Sequence, residues 1–209
     1  TYTDPVVYYE YTLDSAHRAR DAGLRNVLVT AAYINQEPWD RLLDVVDAAN
    51  IDLKFMDDTL YRSICSATLK PVQQALVRAR ERGVWVEVTN LVIPTLNDTP
   101  EQIRSLAQWI VSQLGKDTPL HFSAFHPRYK MRHLPSTSTQ ALERARSIAQ
   151  TEGLHHVYIG NVASQEGQNT YCPKCATLLI ERRGYHILQS QIDQGACSVC
   201  GQQIKGIWQ

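Results

Sequence analysis

The 209-residue chain has no excess of charge of either sign, since 21 lysine and arginine residues balance 21 aspartate and glutamate residues. This balance argues against a strong electrostatic footprint for DNA, RNA or an anionic membrane surface. Apolar runs of membrane-spanning length and low-complexity tracts are also missing from the sequence. We therefore expect a soluble protein with neither nucleic acid nor membrane as a partner. Its apolar content of 44% is enough for one domain with a substantial hydrophobic core and a second, small domain.

Cysteine is scarce, and four of the five cysteines form two C-x-x-C pairs near the end of the chain, Cys172 with Cys175 and Cys197 with Cys200. Two such pairs supply the four thiolates that zinc accepts in a closed tetrahedral site, so the spacing predicts a structural zinc ribbon. Two disulfides, a redox pair and a rubredoxin-like iron site stay open as alternatives. The remaining Cys65 makes the count odd and no signal peptide opens the chain, so we expect a reducing, cytoplasmic location.

Helical segments and short apolar segments alternate regularly through the first 160 residues. The pattern predicts helices at residues 5–22, 71–82, 98–114 and 139–151, a further helix that carries Leu42, Leu43 and Val46, and strands at residues 26–30, 51–55, 84–93, 120–125 and 157–159. This β/α alternation predicts parallel strands with helical crossovers, in either an open doubly wound sheet or a barrel. We expect an α/β domain over residues 1–165 and a small cysteine domain over residues 166–209.

Polar side chains occur where several predicted strands end, which is where chemistry gathers in parallel sheets. These residues are Thr30, Asp52, Lys54, Glu87, Asn90, Ser123 and His126. Asp52 and Lys54 are two residues apart on one predicted strand, so they should point to the same face. They either neutralise each other or face a ligand. His126 either contacts an anionic or polar ligand or bonds to the backbone as a loop histidine, and His121 is predicted to be structural.

Several segments of the chain closely resemble one enzyme family. They are TYTDP at residues 1–5, VTAAY at 29–33, IDLK at 51–54, EVTNLVIP at 87–94, ND at 97–98, HFSAFHP at 121–127, GN at 160–161, NTYCPKC at 169–175 and GIW at 206–208. Together they resemble the radical S-adenosylmethionine (SAM) enzymes of the AmmeMemoRadiSam system, which are relatives of the pyruvate formate-lyase activating enzymes. The resemblance extends over essentially the whole chain.

The resemblance implies a partial TIM-like (β/α) barrel that binds S-adenosylmethionine and a [4Fe-4S] cluster. An electron from the cluster, delivered by an electron donor protein, would split the sulfonium bond. The resulting 5′-deoxyadenosyl radical would remove hydrogen from an unknown protein or small-molecule substrate. The matching segments would place Asp4 at the amino group of the cofactor, and Thr30, Asp52, Lys54 and His126 along the cofactor cleft. A carboxylate near the ammonium and a cation near the carboxylate suit the zwitterionic methionine moiety.

The chain departs from the family pattern at three places. Asp4 stands where the family usually has glutamate, Ala31 and Ala32 replace Asn-Gly, and the C-x-x-x-C-x-x-C cluster motif is absent from the sequence. Three thiolates must hold the iron cluster, and Cys65 alone cannot replace them. We therefore expect that the chain is the carboxyl-terminal part of a longer enzyme, that the cluster ligands lie outside it, and that it is inactive in radical chemistry by itself.

Loss of the first barrel strands would leave the strand at residues 26–30 as an exposed parallel edge, which predicts dimerisation or aggregation. Two other function classes stay open. One is a non-catalytic zinc-ribbon adaptor built on a degenerate barrel. The other is a lyase or aldolase that uses Lys54 as a Schiff-base nucleophile.

Overall fold

Helices and parallel strands alternate in the computed structural model, which describes residues 3–162, 164 and 166–208. The helices are α1 (Tyr9–Asp21), α2 (Gln36–Leu43), α3 (Asp58–Cys65), α4 (Leu69–Glu81), α5 (Pro100–Gln113) and α6 (Thr139–Thr151), with short 3-10 helices at Pro5–Tyr8 and Tyr129–Met131. The strands are β1 (Val27–Thr30), β2 (Ala48–Asp52), β3 (Trp85–Val92), β4 (Leu120–Ala124), β5 (Val157–Gly160), β6 (Thr170–Tyr171), β7 (Leu178–Arg183), β8 (His186–Ser190), β9 (Ile192–Asp193) and β10 (Ala196–Cys197). None of these helices combines the length and the apolar character needed to cross a lipid bilayer.

The first five strands form one sheet in the order β1-β2-β3-β4-β5. Strands β1, β2 and β3 pair in parallel, with Thr30 opposite Ile51 and Asp52 opposite Thr89, and β4 pairs with β5 in parallel. Because the order in space follows the order in the chain, these strands are wound in one direction, without the reversal of a doubly wound sheet. The predicted α/β class with a parallel sheet is confirmed.

The chain divides into two compact units, Thr1–Asn90 and Leu91–Gln209, and the division falls within β3. The domain boundary predicted from the sequence lies at Gln165, which is outside the described residues, as are Thr1 and Tyr2 of the first family segment. That boundary therefore stays a prediction.

One face of the parallel strands is buried, and the other, which we call the open face, is only half-buried. In the first unit the open face carries Asn50 and Asp52 of β2 and Glu87 and Thr89 of β3. The Thr89 hydroxyl donates to Asn50 Oδ1 at 2.7 Å, which shows that the two side chains share that face. Parallel sheets are usually covered on both faces, so a half-open polar face indicates a place for a ligand or for further protein.

The structure corrects the second predicted strand, which the sequence pattern assigns to residues 51–55. Strand β2 is Ala48–Asp52, and its alanines pair with both β1 and β3. Alanine and asparagine have little strand propensity, so the sequence pattern favours the apolar residues that follow them. Of these, Leu53 and Phe55 are buried, but they lie in a loop after the strand. Asp52 is therefore the last residue of β2 and Lys54 follows the strand, so the prediction that both lie on one strand was wrong.

Helix α3 was not predicted, because its eight residues give only a weak periodic signal. The Asp57 carboxylate caps it by accepting from the Leu60 N–H at 2.9 Å. The predicted start of α5 is confirmed, since Thr99 and Gln102 form a capping box and Pro100 occupies the first turn.

Residues 170–208 contain two small antiparallel sheets, and we call this segment the cysteine module. Strands β6, β7 and β8 form one sheet, and β9 and β10 form the other. Its small buried cluster consists of Cys172, Leu179, Ile180, Cys197 and Ile204. A core of this size rarely stabilises a fold without a metal or a covalent staple.

Candidate functional site

Four cysteine sulfurs converge in the cysteine module. Those of Cys172, Cys175, Cys197 and Cys200 all lie within 4.8 Å of one another. Across the two knuckles, the Cys172 and Cys200 sulfurs are 3.6 Å apart and the Cys175 and Cys197 sulfurs 3.7 Å apart. A tetrahedral site with metal–sulfur bonds of about 2.3 Å places neighbouring sulfurs about 3.8 Å apart. The group therefore fits a single metal ion.

Both knuckles are closed by the same backbone turn. The Ala176 N–H donates to the Cys172 carbonyl at 2.9 Å, and the Gly201 N–H donates to the Cys197 carbonyl at 2.9 Å. Ala176 and Gly201 have φ angles of 58° and 69°. Bonds from the hydroxyl and the N–H of Thr177 lower the pKa of Cys175 to about 6. Despite a backbone hydrogen bond from Gln202, burial and the bonds of the other three cysteines raise the pKa of Cys200 to about 12, so Cys175 is the favoured thiolate, which is the form that binds metal.

Asp4 and Thr30 lie together at the carboxyl end of β1. The Thr30 hydroxyl donates to Asp4 Oδ1 at 2.6 Å, the Ala31 N–H donates to Oδ2 at 2.8 Å, and the Val6 N–H donates to Oδ1 at 3.2 Å. Thr30 also accepts from the Ala32 N–H at 2.9 Å. Asp4 thus ties the first 3-10 helix to the end of the strand.

Asp52 and Lys54 form an ion pair at the carboxyl end of β2, where Lys54 Nζ lies 2.6 Å from Asp52 Oδ2. Their side chains are 33% and 37% exposed, so solvent and ligands can reach both charges. An ion pair this exposed contributes little to stability. Burial raises the pKa of the nearby Cys65 thiol; the Lys54 charge lowers it and the Asp52 charge raises it. Cys65 therefore lies near this pair, on α3, and not in the four-cysteine group.

His126 lies in the second compact unit, in the loop after β4. Its exposed ring bonds through Nε2 to the Asn161 carbonyl at 3.3 Å, and the Asn161 side chain donates to Ser123 Oγ at 2.8 Å. The structure thus links the loops after β4 and β5. A bond to the backbone is the contact expected of a loop histidine, while exposure leaves the ring available to a ligand.

In the second unit, an aromatic stack lies on the half-buried side of β4 and β5. His121 stacks on Tyr158 with ring centroids 5.1 Å apart, and the guanidinium of Arg182 lies 5.7 Å from the Tyr158 ring. The Tyr158 hydroxyl and Arg182 both bond to the Thr170 hydroxyl, at 2.9 and 2.8 Å. The cysteine module is therefore joined to β5, and the structural role of His121 stays a prediction that its stacking on Tyr158 is consistent with.

No protein-family model matches the chain. Over 206 residues, or 98% of the chain, it is 46% identical to an uncharacterized protein of Methanocaldococcus jannaschii, and it covers 61% of that protein. Over 101 residues, or 48% of the chain, it is 28% identical to the pyruvate formate-lyase-activating enzyme of Clostridium pasteurianum, and it covers 42% of that enzyme. The chain thus spans less than two thirds of the length of either relative.

Solved structures share the fold. A domain of pyruvate-formate lyase-activating enzyme from Bacteroides vulgatus superposes with a TM-score of 0.66 at 19% identity, covering 77% of this chain and 96% of that one. A radical SAM methyltransferase from Sphaerobacter thermophilus gives a TM-score of 0.61 at 17% identity, covering 75% of this chain and 48% of that one. Sequence relatives of the chain thus include an activating enzyme, and its parallel-sheet fold is that of radical SAM domains.

Proposed function

We propose that the chain is part of a radical SAM enzyme of the activating type, within the AmmeMemoRadiSam group, built on a partial TIM-like barrel. The observation that carries this proposal is the Asp52–Lys54 pair, which presents opposite charges at the carboxyl end of a parallel strand on the half-buried open face. Ligands of α/β folds bind at this end of the strands. The ligand we propose is S-adenosylmethionine.

The pair suits the methionine moiety of this cofactor, which carries one ammonium and one carboxylate. Lys54 would bind the carboxylate and Asp52 the ammonium, so the ligand would replace one internal ion pair with two. Asp4 accepts three hydrogen bonds from Thr30, Ala31 and Val6. A carboxylate offers about four acceptor positions, so we propose that the one remaining on Asp4 accepts from the same ammonium as Asp52, a role given to Asp4 by the family resemblance. His126 enters the proposal through the family resemblance.

When bound together, S-adenosylmethionine and a reduced iron–sulfur cluster supply one-electron cleavage of the sulfonium bond. The cysteines of this chain do not fit such a cluster. The four sulfurs of the module lie close enough together to bind a single ion, whereas a four-iron cluster spreads its thiolates over separate iron atoms. We therefore propose that the cluster ligands lie outside this chain, and that the chain alone is inactive. The electron donor protein and the protein or small-molecule substrate belong to the same proposal.

For the four-cysteine group we propose one structural zinc ion, held by Cys172, Cys175, Cys197 and Cys200. Zinc accepts four thiolates in a closed tetrahedral site, and the distances between the sulfurs match its bond length. Purified protein should contain one zinc per chain. A red, iron-containing preparation would instead indicate a rubredoxin-like site.

Binding of S-adenosylmethionine to the chain, measured by calorimetry, tests the main proposal. We expect Lys54→Met to weaken binding by about tenfold or more, since a hydrogen bond to a charged group contributes about 1.5–3 kcal/mol. Methionine, which carries both charges, should compete, whereas adenosine should compete poorly. Lys130→Met in the exposed 3-10 helix is the matched control and should bind normally. Equal affinity of the Lys54→Met variant would contradict the proposal.

A non-catalytic adaptor is a second candidate function, and the hairpin of β7 and β8 favours it. Every residue of β8 is exposed, including Ile187 and Leu188, and Tyr185 in the turn is fully exposed. Exposed apolar side chains on a sheet edge are typical of a protein-binding surface. This function predicts that the chain binds no S-adenosylmethionine. Borohydride trapping remains the test of the Schiff-base lyase, in which Lys54 would be the nucleophile.

We also propose that the chain dimerises through β1. Val27 and Val29 are 64% and 68% exposed, and β1 is the first strand of the sheet order. The outer edge of a terminal strand offers backbone groups for pairing, and exposed apolar side chains on that strand favour pairing with a second copy. Size-exclusion chromatography with light scattering should show a dimer that Val29→Lys disrupts. A clean monomer at high concentration would contradict this.

A further inference from the structure

The loop that carries Lys54 is fixed by two side chains from other elements. Asn90 of β3 donates through Nδ2 to the carbonyls of Leu53 and Lys54, at 2.7 and 3.1 Å. The Lys54 N–H donates to the hydroxyl of Tyr61, from α3, at 3.0 Å. The Leu53 N–H also continues the sheet pairing by donating to the Thr89 carbonyl at 2.9 Å. Four consecutive polar backbone groups, the N–H and carbonyl of Leu53 and of Lys54, are thereby held on the two sides of the Lys54 α-carbon.

Asn90 occupies a position where the neighbouring residues of its strand are apolar. Val86, Val88 and Val92 share the buried face of β3 with Asn90, which is 3% exposed. Its Oδ1 is buried and has no hydrogen-bond partner among the described residues. A buried acceptor without a partner is costly, and a fourth valine would avoid that cost. The amide is therefore best explained by its two donated bonds.

The Tyr61 side chain is also held in a fixed position by its surroundings. Its ring is buried and packs edge-on against Phe55, with centroids 5.8 Å apart and an interplanar angle of 88°. Burial raises the pKa of its hydroxyl to about 12, so the group stays neutral in the physiological range. A neutral hydroxyl in a fixed place is a suitable acceptor for the Lys54 N–H. The short helix α3 thus contributes a contact to this loop.

We propose that Asn90 and Tyr61 are positioning residues that fix the backbone of residues 53–55, so that the Lys54 ammonium stays against Asp52 on the open face. Neither side chain needs to touch a ligand, because both act through the backbone next to Lys54. The inference rests on the proposed function only for the identity of the ligand, the carboxylate of S-adenosylmethionine. The placement of Lys54 itself can be tested without any ligand.

Competitive acetylation of the lysine side chains, quantified by peptide mass spectrometry, measures how accessible Lys54 is relative to the other lysines of the same molecule. We expect Asn90→Val and Tyr61→Phe each to raise the relative labelling rate of Lys54 by about fivefold, the equivalent of about one hydrogen bond. Asn90→Val keeps the shape and apolar character of its neighbours, and Tyr61→Phe removes only one oxygen, so both variants should fold.

Asn97→Val is the matched control. Asn97 is also buried and bridges backbone groups, donating to the Leu91 carbonyl at 2.9 Å and accepting from the Ile93 N–H at 2.6 Å. Its loss should lower stability without changing Lys54 labelling, because it holds a different loop. The acetylation rate of Lys54 relative to the other lysines therefore distinguishes a loss of positioning from a general loss of stability.

Binding of S-adenosylmethionine to the same variants separates the two proposals. Faster Lys54 labelling together with weaker binding supports both. If Lys54 is labelled faster in the variants but the wild-type chain binds no S-adenosylmethionine, the positioning role is retained and the proposed function is overturned. Unchanged Lys54 labelling in both Asn90→Val and Tyr61→Phe, or an equal rise in Asn97→Val, overturns the inference.

Discussion

The cysteine group and the Asp52–Lys54 pair are held in place in different ways. The cysteines lie on two short turns, each closed by a backbone bond between residues four apart, and neither turn needs a distant side chain. The loop of Lys54 instead depends on Asn90, which is 37 residues from Leu53 in the chain. The geometry of the cysteine group should therefore depend on its metal ion, whereas that of the Asp52–Lys54 pair should depend on single side chains of the first unit. The following variants test that contrast.

Loss of the ion should have the largest effect and should be confined to the cysteine module. We expect a chelator, or Cys172→Ser, to unfold residues 170–208, because structural zinc supplies on the order of 10 kcal/mol to small domains. Hydrogen exchange should show loss of protection in β6 to β10 and retained protection in β1 to β3. Cys65→Ser should leave the metal content unchanged, and a module that stays protected without metal would contradict this account.

Removal of the Asp4 carboxylate should destabilise the first unit and leave the metal site intact. Asp4→Ala breaks three hydrogen bonds to a charged group, so we expect the free energy of unfolding to fall by about 2–3 kcal/mol. Urea denaturation measures this change. Asp98→Ala is a control at a carboxylate that caps an exposed turn, where it accepts from the Thr95 N–H. A loss for Asp4→Ala no larger than for Asp98→Ala would show that the contact contributes little.

Arg182 connects the cysteine module to β5 of the parallel sheet within the second unit, so its loss should have an effect on stability of intermediate size. Arg182→Met removes the bonds to the Gln168 carbonyl and the Thr170 hydroxyl and the contact with the Tyr158 ring. We expect a destabilisation of about 1–2 kcal/mol, with zinc retained. Faster hydrogen exchange in β5 would report it. Arg183→Met, at an exposed neighbour, should change neither, and equal effects of both variants would contradict the link.

The smallest effects should come from two alanines with left-handed backbone, one in each region. Ala32, where the resembling family usually has glycine, has a φ of 48°, and Ala176 has a φ of 58°. Glycine avoids the left-handed penalty but loses more chain entropy, so Ala32→Gly and Ala176→Gly should each raise stability by about 0.5 kcal/mol. Thermal unfolding can detect this against Ala107→Gly within α5, which should be destabilising.

The sequence predicted the cysteine group in full because C-x-x-C spacing is a local signal, and the two pairs meet as expected. The β/α alternation was also predictable, since each long helix carries its own periodic apolar face. The predicted position of β2 is wrong because its alanines form a strand only through pairing with both β1 and β3. That pairing depends on distant segments, so a local pattern could not supply it.

The surroundings of Lys54 were predicted only in part. The sequence identifies Asp52 and Lys54 as candidates, but the prediction that they share one strand is wrong, because Lys54 lies in the loop after β2. Asn90 is a polar residue near the end of a predicted strand, whereas Tyr61 lies on α3, which the sequence pattern does not predict. The one available signal was Asp57, a capping residue three positions before the Leu60 N–H that it binds. Contacts such as Asn90 with Leu53 follow from tertiary packing alone.

Anaerobic incubation of the chain with iron and sulfide, followed by metal analysis and electron paramagnetic resonance after reduction, shows whether the four cysteines bind one ion or an iron–sulfur cluster. We expect one zinc per chain and no four-iron signal, because the four sulfurs fit a single ion and we place the cluster ligands outside this chain. A four-iron signal that disappears in Cys172→Ser would show that these cysteines hold the cluster.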